Sequence, residues 1–205
     1  MSFSSKEVRS IITLPKVCML KSITGALWIY FGLVVGSSML KIKMNGLDVI
    51  LLLAIAGILF TFANISLKKG KRLQVQFNLD SGSESAIRKK YMLVNLMQYG
   101  AIAIAGVLTY VYNPYAFLTL FPLLLSIISA IHFFPLGKMF GSLPLYLTGA
   151  AILAVVAITG LVSPSGVDSY LSPIGTGIIF WGSTIYDLGI SASARRKLTG
   201  SVATQ

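Results

Sequence analysis

The sequence predicts an all-α protein that crosses a membrane six times. Two observations carry this prediction: long apolar segments recur along the 205 residues, and the composition is 55% hydrophobic but only 11% charged. A helix rises about 1.5 Å per residue, so about 20 residues cross a hydrocarbon core of about 30 Å. Six segments have this length and form one transmembrane domain: residues 22–40, 47–67, 92–112, 115–134, 143–162 and 171–190.

Short links between the segments predict three antiparallel hairpins. The links at 41–46, 113–114 and 163–170 are little more than turns, so the first segment should pair with the second, the third with the fourth and the fifth with the sixth. The link at 135–142 is also short. The remaining parts are an N-terminal segment, residues 1–21, and a C-terminal tail, residues 191–205.

The link at 68–91 is longer than the others and rich in lysine and arginine. We interpret it as a flexible linker lying against anionic lipid. The alternating apolar and polar residues at 73–79 leave a short strand or an interfacial segment as alternatives. Ser83 is the predicted N-cap of a helix that continues into the third segment.

The basic residues lie almost entirely on one side of this topology. The chain has 17 lysines and arginines and a net charge of +11. Only Lys41 and Lys43 fall in a link on one side, so the other 15 basic residues lie on the side of the termini. By the positive-inside rule, both termini are predicted to be cytoplasmic. The same pattern makes lipid, rather than nucleic acid, the expected partner of the charge. The first 21 residues lack an apolar core with a cleavage site, so the first segment is expected to act as a signal anchor.

Motifs for soluble enzyme chemistry are missing from the sequence. Cys18 is the only cysteine and His132 the only histidine, so the chain cannot form an internal disulfide and predicts neither a metal site nor a cofactor. There is no Walker loop, no His-Glu-x-x-His and no Gly-x-Ser-x-Gly. The sequence therefore favours a function that is not enzymatic.

Small residues at regular spacing predict where the helices pack. In lipid, close backbone approach at glycine is a main source of helix association. The first segment carries one such series and the sixth another, at Gly25, Gly32, Gly36, Gly175, Gly182 and Gly189. Internal packing is the favoured interpretation, with a homo-oligomer or a partner membrane protein as the alternative. The central position of Gly182 predicts that leucine there destabilises the bundle more than leucine at Ala101.

Polar residues cluster near the predicted cytoplasmic ends of the segments. A polar or ionisable side chain at that depth costs about 2 to 3 kcal/mol if it meets lipid, so these groups should turn inward. We treat them as candidates for binding a substrate or a proton: Asn64, Asn95, Gln98, His132, Ser183, Tyr186 and Asp187.

Asp187 and His132 are the members of this cluster whose ordinary pKa values lie below or near neutrality. Helical spacing places Asp187 on one face of its segment with Thr176 and Ser183. The two residues lie at similar depth, which predicts a pair inside a cavity open to the cytoplasm. The alternatives are that Asp187 binds Lys138 or Arg195 at the boundary, and that His132 ends a helix before Pro135.

The stretches His132-Phe-Phe-Pro-Leu-Gly-Lys-Met-Phe140 and Leu145-Tyr-Leu-Thr-Gly149 resemble a signature of uncharacterised bacterial membrane proteins with six predicted helices. The resemblance implies a bacterial inner-membrane location and carries no activity. A looser similarity, in length and paired helices only, is to acid-resistance membrane proteins of enteric bacteria.

These observations lead to three hypotheses about function. The leading hypothesis is a protein that handles a small solute or ion, as a transporter or as the membrane-embedded substrate-binding subunit of one. The second is a non-catalytic envelope-stress or assembly factor that acts through helix packing. The third is an intramembrane enzyme that uses His132 and Asp187. A polar cavity would favour the first hypothesis, and a solid core with glycine faces exposed to lipid would favour the second.

Overall fold

Six α-helices make up the described part of the chain. The computed structural model describes residues 5–41, 43–76, 84–112, 117, 120–162 and 170–203, and no strand occurs within these ranges. The predicted all-α fold is therefore confirmed. In chain order the helices are α1 Ser5–Leu40, α2 Gly46–Gln76, α3 Glu84–Tyr112, α4 Phe121–Phe140, α5 Leu143–Val162 and α6 Leu171–Ala203.

Five of the helices, α1 to α5, are long and apolar enough to cross a membrane. The exception, α6, contains several glycines, serines and threonines together with Asp187. It packs against α1, α2, α4 and α5. The face of α6 that meets these helices is buried and holds polar side chains such as Thr184, whereas Ile178 and Ile185 elsewhere on α6 are more than half exposed. A polar side chain on a face covered by other helices does not meet lipid. The lower hydropathy of α6 thus accompanies its central position.

The helix contacts join neighbours in sequence and also the two ends of the chain. Each predicted pair, α1 with α2, α3 with α4 and α5 with α6, is in contact. The most extensive contact joins α1 to α6, and α4 packs more closely on α5 than on α3. The α1–α6 interface is therefore the main seam of the bundle.

Four helices continue well past the predicted segments. Here α1 begins at Ser5 and α3 at Glu84, while α2 runs to Gln76 and α6 to Ala203. Residues 68–76, which we interpreted as linker, are helical. Residues 84–91 are helical as well, in line with the predicted helix that continues into the third segment, whereas 77–83, including its predicted N-cap Ser83, lie outside the described residues. Where α1, α2 and α6 extend beyond the predicted segments, their side chains pack together. The buried cluster there consists of Ile11, Ile12 and Leu198, packed against Leu67, Leu73 and Ala194. We call residues 5–20, 66–76 and 191–203 the three-helix extension, and its apolar cluster explains why it is not a linker.

The fourth helix lies later in the sequence than predicted. It begins at Phe121, with Pro122 in its first turn, and continues through Pro135 to Phe140. Gly141 then adopts a left-handed conformation with φ of 57°. Its N–H donates to the Lys138 carbonyl at 3.4 Å, and the Ser142 N–H donates to the Gly137 carbonyl at 3.0 Å. This pair of bonds is the Schellman motif, which ends α4 and allows α5 to begin within two residues.

Glycines of α1 lie against α6 along the main seam. An ideal Cβ at Gly25 would come within 2.6 Å of Trp181, and one at Gly32 within 2.6 Å of Ile174. At Gly36 it would come within 2.8 Å of Tyr170. Side chains larger than hydrogen at these positions would force the two helices apart.

The glycines of α6 do not form one continuous seam within the described chain. A Cβ at Gly175 would meet Val155 of α5 at 2.6 Å, but a Cβ at Gly182 or Gly189 would meet no described residue within 4 Å. Both glycines lie at exposed positions of α6, whereas Phe180, about half a turn away from Gly182, is buried against Phe133 of α4 with ring centroids 5.5 Å apart. Our expectation of a central packing contact at Gly182 is corrected accordingly.

Alanine substitutions at two glycines of α6 should have opposite effects. A Cβ at Gly177 would lie 2.5 Å from both the Gly25 carbonyl oxygen and Ile29, so Gly177→Ala should lower the free energy of unfolding by about 1 to 3 kcal/mol through overpacking. Gly182→Ala, in open space, should leave it unchanged or raise it slightly through helix propensity. Unfolding in detergent, followed by circular dichroism, measures both; equal stability of the two variants would contradict the described α1–α6 contact.

Candidate functional site

A cavity of about 350 Å³ lies between α1, α3 and α4. Among the described helices, α3 packs closely only on α4, which leaves space between α3 and α1. Most of the lining side chains are apolar, including Trp28 of α1, Ile102 of α3 and Phe133 of α4. Polar groups enter the lining from the same three helices at Lys21, Thr24, Tyr91, Asn95, Gln98, Tyr99, Ser129 and His132.

Three of the predicted site residues meet in this cavity. The Gln98 amide donates to the Ser129 hydroxyl at 3.3 Å and so joins α3 to α4. The Asn95 amide donates to the Tyr91 carbonyl at 2.9 Å, one turn earlier on the same helix. His132 is half-buried, and its ring lies edge-on to Phe133 with centroids 5.9 Å apart.

A buried ion pair lies beside the cavity. The Lys21 ammonium donates to Asp187 Oδ2 at 2.9 Å, and the two side chains are 4% and 0% exposed. The ammonium also lies 5.6 Å from the centroid of the Phe133 ring. Lys21 belongs to the cavity lining, whereas Asp187 does not. The lysine therefore separates the carboxylate from the cavity.

The main seam explains this pairing. The Trp181 indole N–H donates to the Ser22 carbonyl at 3.0 Å, and the Cys18 thiol donates to the Thr184 carbonyl at 3.7 Å. These bonds set Lys21 beside Asp187 across the interface. The partner of Asp187 is thus Lys21, and not Lys138, Arg195 or His132 as we had considered.

Sequence reasoning missed Lys21, which we placed just before the first segment among the cytoplasmic cations. A signal for it exists in the sequence. The residues before it, Val17 to Leu20, are apolar, and Ile11 and Ile12 lie two to three turns earlier. A cation within an apolar helix that continues on both sides is a candidate for a buried pair.

The other three predicted site residues do not line the cavity. Tyr186 is 57% exposed, and the Ser183 hydroxyl donates to the Phe180 carbonyl of its own helix at 3.0 Å. Asn64 is half-buried on α2, which does not contribute to the lining. The polar cluster therefore divides between the cavity and other surfaces.

The side chains of the described lining can bind a small molecule through apolar contacts and hydrogen bonds. Within the described ranges, no three side chains of the His, Cys, Asp and Glu types lie close enough together to hold an ion. The cavity instead offers an apolar wall, amide and hydroxyl groups, an imidazole and one ammonium.

Comparisons of the chain with protein-family models, curated proteins and solved structures find no match. The fold and the site define a class of protein: an all-helical chain with five helices apolar enough to cross a membrane and a cavity among three of them.

Proposed function

We propose that this chain is an integral membrane protein that binds a small amphipathic solute in the cavity between α1, α3 and α4, as a transporter or as the substrate-binding subunit of one. The cavity is the observation that carries the proposal. Its volume of about 350 Å³ lies within the range of about 300 to 1,000 Å³ typical of small-molecule sites. An apolar wall with a few convergent polar groups is also the usual composition of such sites.

The proposed membrane topology has six crossings arranged as three antiparallel hairpins, with α6 as the central crossing. Many large apolar side chains are exposed, among them Leu53 at 64% and Leu96 at 69%. Such surfaces are unfavourable in water and suited to lipid. The contacts between α1 and α2, α3 and α4, and α5 and α6 support the hairpins.

We propose that the protein lies in the plasma membrane with both termini cytoplasmic. The resemblance at residues 132–140 and 145–149 implies that this membrane is bacterial. The support for orientation is the distribution of basic residues, 15 on one side and two on the other out of 17. In a Cys18→Ser background, Asn45→Cys should react with an impermeant maleimide on intact cells, and Thr199→Cys should react only after lysis. Labelling of Thr199→Cys from outside intact cells would show that the orientation is the reverse of the one proposed.

Two single cysteine variants on α3, compared with each other, test whether the cavity admits water. Gln98 lines the cavity and its neighbour Met97 is 67% exposed on the outside of the helix. A thiol reacts as its thiolate, which forms in water and not in lipid. In a Cys18→Ser background, Gln98→Cys should therefore react with a charged methanethiosulfonate at least about tenfold faster than Met97→Cys. The rates follow from quenched time points and mass spectrometry.

An assembly factor that works through helix packing is the second candidate. The observation that favours it is the open space at Gly182 and Gly189 of α6, which could receive a helix of a partner or of a second copy. The cysteine experiment separates the two candidates. Equally slow reaction at positions 97 and 98 would mean that the cavity is dry and would favour the assembly factor.

A further inference from the structure

We propose that the solute is an amphipathic anion, that its headgroup binds the Lys21 ammonium, and that Asp187 takes up one proton as the anion binds. The inference rests on the proposed function, because it assigns the chemistry of the molecule in that same cavity. The proton comes from water and is held by an Asp187 carboxylate oxygen. No covalent bond to the solute forms.

The position of Lys21 is the first support. Its ammonium is the only charged group in the described lining of the cavity, and it is bound from behind by Asp187 Oδ2 at 2.9 Å. An anionic headgroup in the cavity and the Asp187 carboxylate would approach the same ammonium from opposite sides. Lys21 can therefore pass from one anion to the other without a change of helix position.

The second support is an incomplete set of hydrogen bonds at Asp187. Its Oδ1 atom is buried and has no hydrogen-bond partner among the described residues, and the side chain as a whole is 0% exposed. A buried carboxylate oxygen without a partner is costly as a charged acceptor. A proton on the carboxyl removes that charge, so the site is suited to a change of protonation state.

Charge neutrality links the two events. In the free protein Lys21 and Asp187 cancel within a low-dielectric interior. An anion added to this pair would leave one uncompensated negative charge, which the interior disfavours strongly. Uptake of one proton by Asp187 restores neutrality, because Lys21 then pairs with the headgroup alone.

The rest of the lining suits an anion as well. Asn95, Gln98 and Ser129 carry groups that can donate hydrogen bonds, and the described lining contains no carboxylate. The apolar wall, with Leu125 and Leu136 among its residues, suits a hydrocarbon tail. A headgroup and a tail together describe an amphipathic anion, whether a lipid-derived phosphate or a free carboxylate.

Few other titratable groups face the ion pair. Cys18 of α1 is buried on the same interface, and His132 of α4 lines the cavity together with Lys21, as do the Tyr91 and Tyr99 phenols of α3, which are ordinarily neutral. Within the described residues, α2 and α5 bring no charged group into contact with Asp187; its ion pair is with Lys21. His132 is therefore the competing proton acceptor that an experiment must separate from Asp187.

The test uses a pair of brominated probes of equal length, a bromoundecane sulfonate and a bromoundecanol, with the protein in nanodiscs. The sulfonate stays charged throughout the pH range, and the alcohol is neutral. Bromine quenches tryptophan on contact, and Trp28 lines the cavity. The chain has two tryptophans, so Trp181→Phe leaves Trp28 as the reporter, and Trp28→Phe provides the control for probe dissolved in lipid.

The expected result is saturable quenching of Trp28 by both probes, with little saturable quenching of Trp181. The Kd of the sulfonate should rise about tenfold for each pH unit between about pH 6 and 8, since one proton accompanies each anion. The Kd of the alcohol should not change with pH. Asp187→Asn should make sulfonate binding independent of pH, whereas His132→Gln should keep the slope.

The double variant Lys21→Gln with Asp187→Asn covers the case in which Asp187→Asn does not fold. It removes both charges of the buried pair, and it should bind the alcohol but lose sulfonate binding at every pH. A sulfonate Kd that is constant with pH in the parent protein, or a slope that His132→Gln abolishes, overturns proton uptake by Asp187 and leaves the cavity intact. If neither probe quenches Trp28 more than Trp181, the proposed function itself fails.

Discussion

Asp187→Ala should lower the free energy of unfolding by about 3 to 5 kcal/mol. The substitution leaves the Lys21 ammonium, which is 4% exposed, without its counterion inside the bundle. The loss of one partner of a buried pair is costly because the other charge is left without its counterion in a poorly solvated place. Unfolding in detergent at neutral pH, followed by circular dichroism, measures the change.

Two variants serve as controls for this prediction. Asp48 is exposed in the first turn of α2, so Asp48→Ala should cost about 1 kcal/mol or less. The double variant Lys21→Met with Asp187→Leu should recover much of the loss, because an apolar pair of similar size is often as stable as a buried ion pair. If Asp187→Ala is no less stable than Asp48→Ala, the ion pair is not buried in the folded protein.

The double variant Lys21→Met with Asp187→Leu also tests why the protein has a charged pair at this position. A buried ion pair is weak evidence for stability, since apolar replacements can match it. Its position between the core and a cavity suggests that its charge serves the cavity instead. Recovery of stability in the double variant, together with loss of sulfonate binding, would separate these two roles.

Hydropathy predicted the existence of the helices well and their ends poorly. An apolar run of about 20 residues leaves few alternatives to a helix that crosses a membrane, because each backbone polar group must be satisfied internally. The three-helix extension was missed because its helices are mixed in polarity. Its buried residues, such as Ile11 and Leu198, come from opposite ends of the chain, and a local hydropathy pattern does not record that meeting.

The site could be predicted only in part for the same reason. The cost of polar groups in lipid pointed to Asn95, Gln98 and His132, which do line the cavity. The partner of Asp187 depended on α1 packing against α6, a contact between the first and last helices. We had paired neighbours in sequence and therefore looked for its partner on α4 or at the C-terminal end.

The spacing of the glycines likewise predicted helix packing only in part. Seven-residue spacing places Gly175, Gly182 and Gly189 on nearly one face of α6, with a drift of about 20° per repeat. A face defined by spacing still does not specify what lies opposite it. A Cβ at Gly175 would meet α5, whereas one at Gly182 or Gly189 would meet no described residue within 4 Å, because both glycines lie at exposed positions of the helix.

The second large effect is expected in the three-helix extension, at Arg195. Its guanidinium Nη1 donates to the Ser66 hydroxyl at 2.5 Å and to the Ser191 hydroxyl at 2.8 Å. Ser66 lies on α2 and Ser191 on α6, so one cation joins the two helices where both leave the predicted membrane segments. Hydrogen bonds to a charged group contribute about 1.5 to 3 kcal/mol.

Arg195→Ala should therefore lower the free energy of unfolding by about 1.5 to 3 kcal/mol. The lower half of that range is favoured because the Ser66 and Ser191 hydroxyls also lie 3.3 Å from each other and keep one partner after the substitution. Arg196→Ala is the matched control: it removes the same charge from the next position, where the side chain is exposed, and should change stability by less than about 0.5 kcal/mol. Amide hydrogen exchange locates the effect, since Arg195→Ala should speed exchange at the end of α2 and leave α5 unchanged. Equal changes in the two variants would show that net charge, and not the bridge between α2 and α6, holds the extension together.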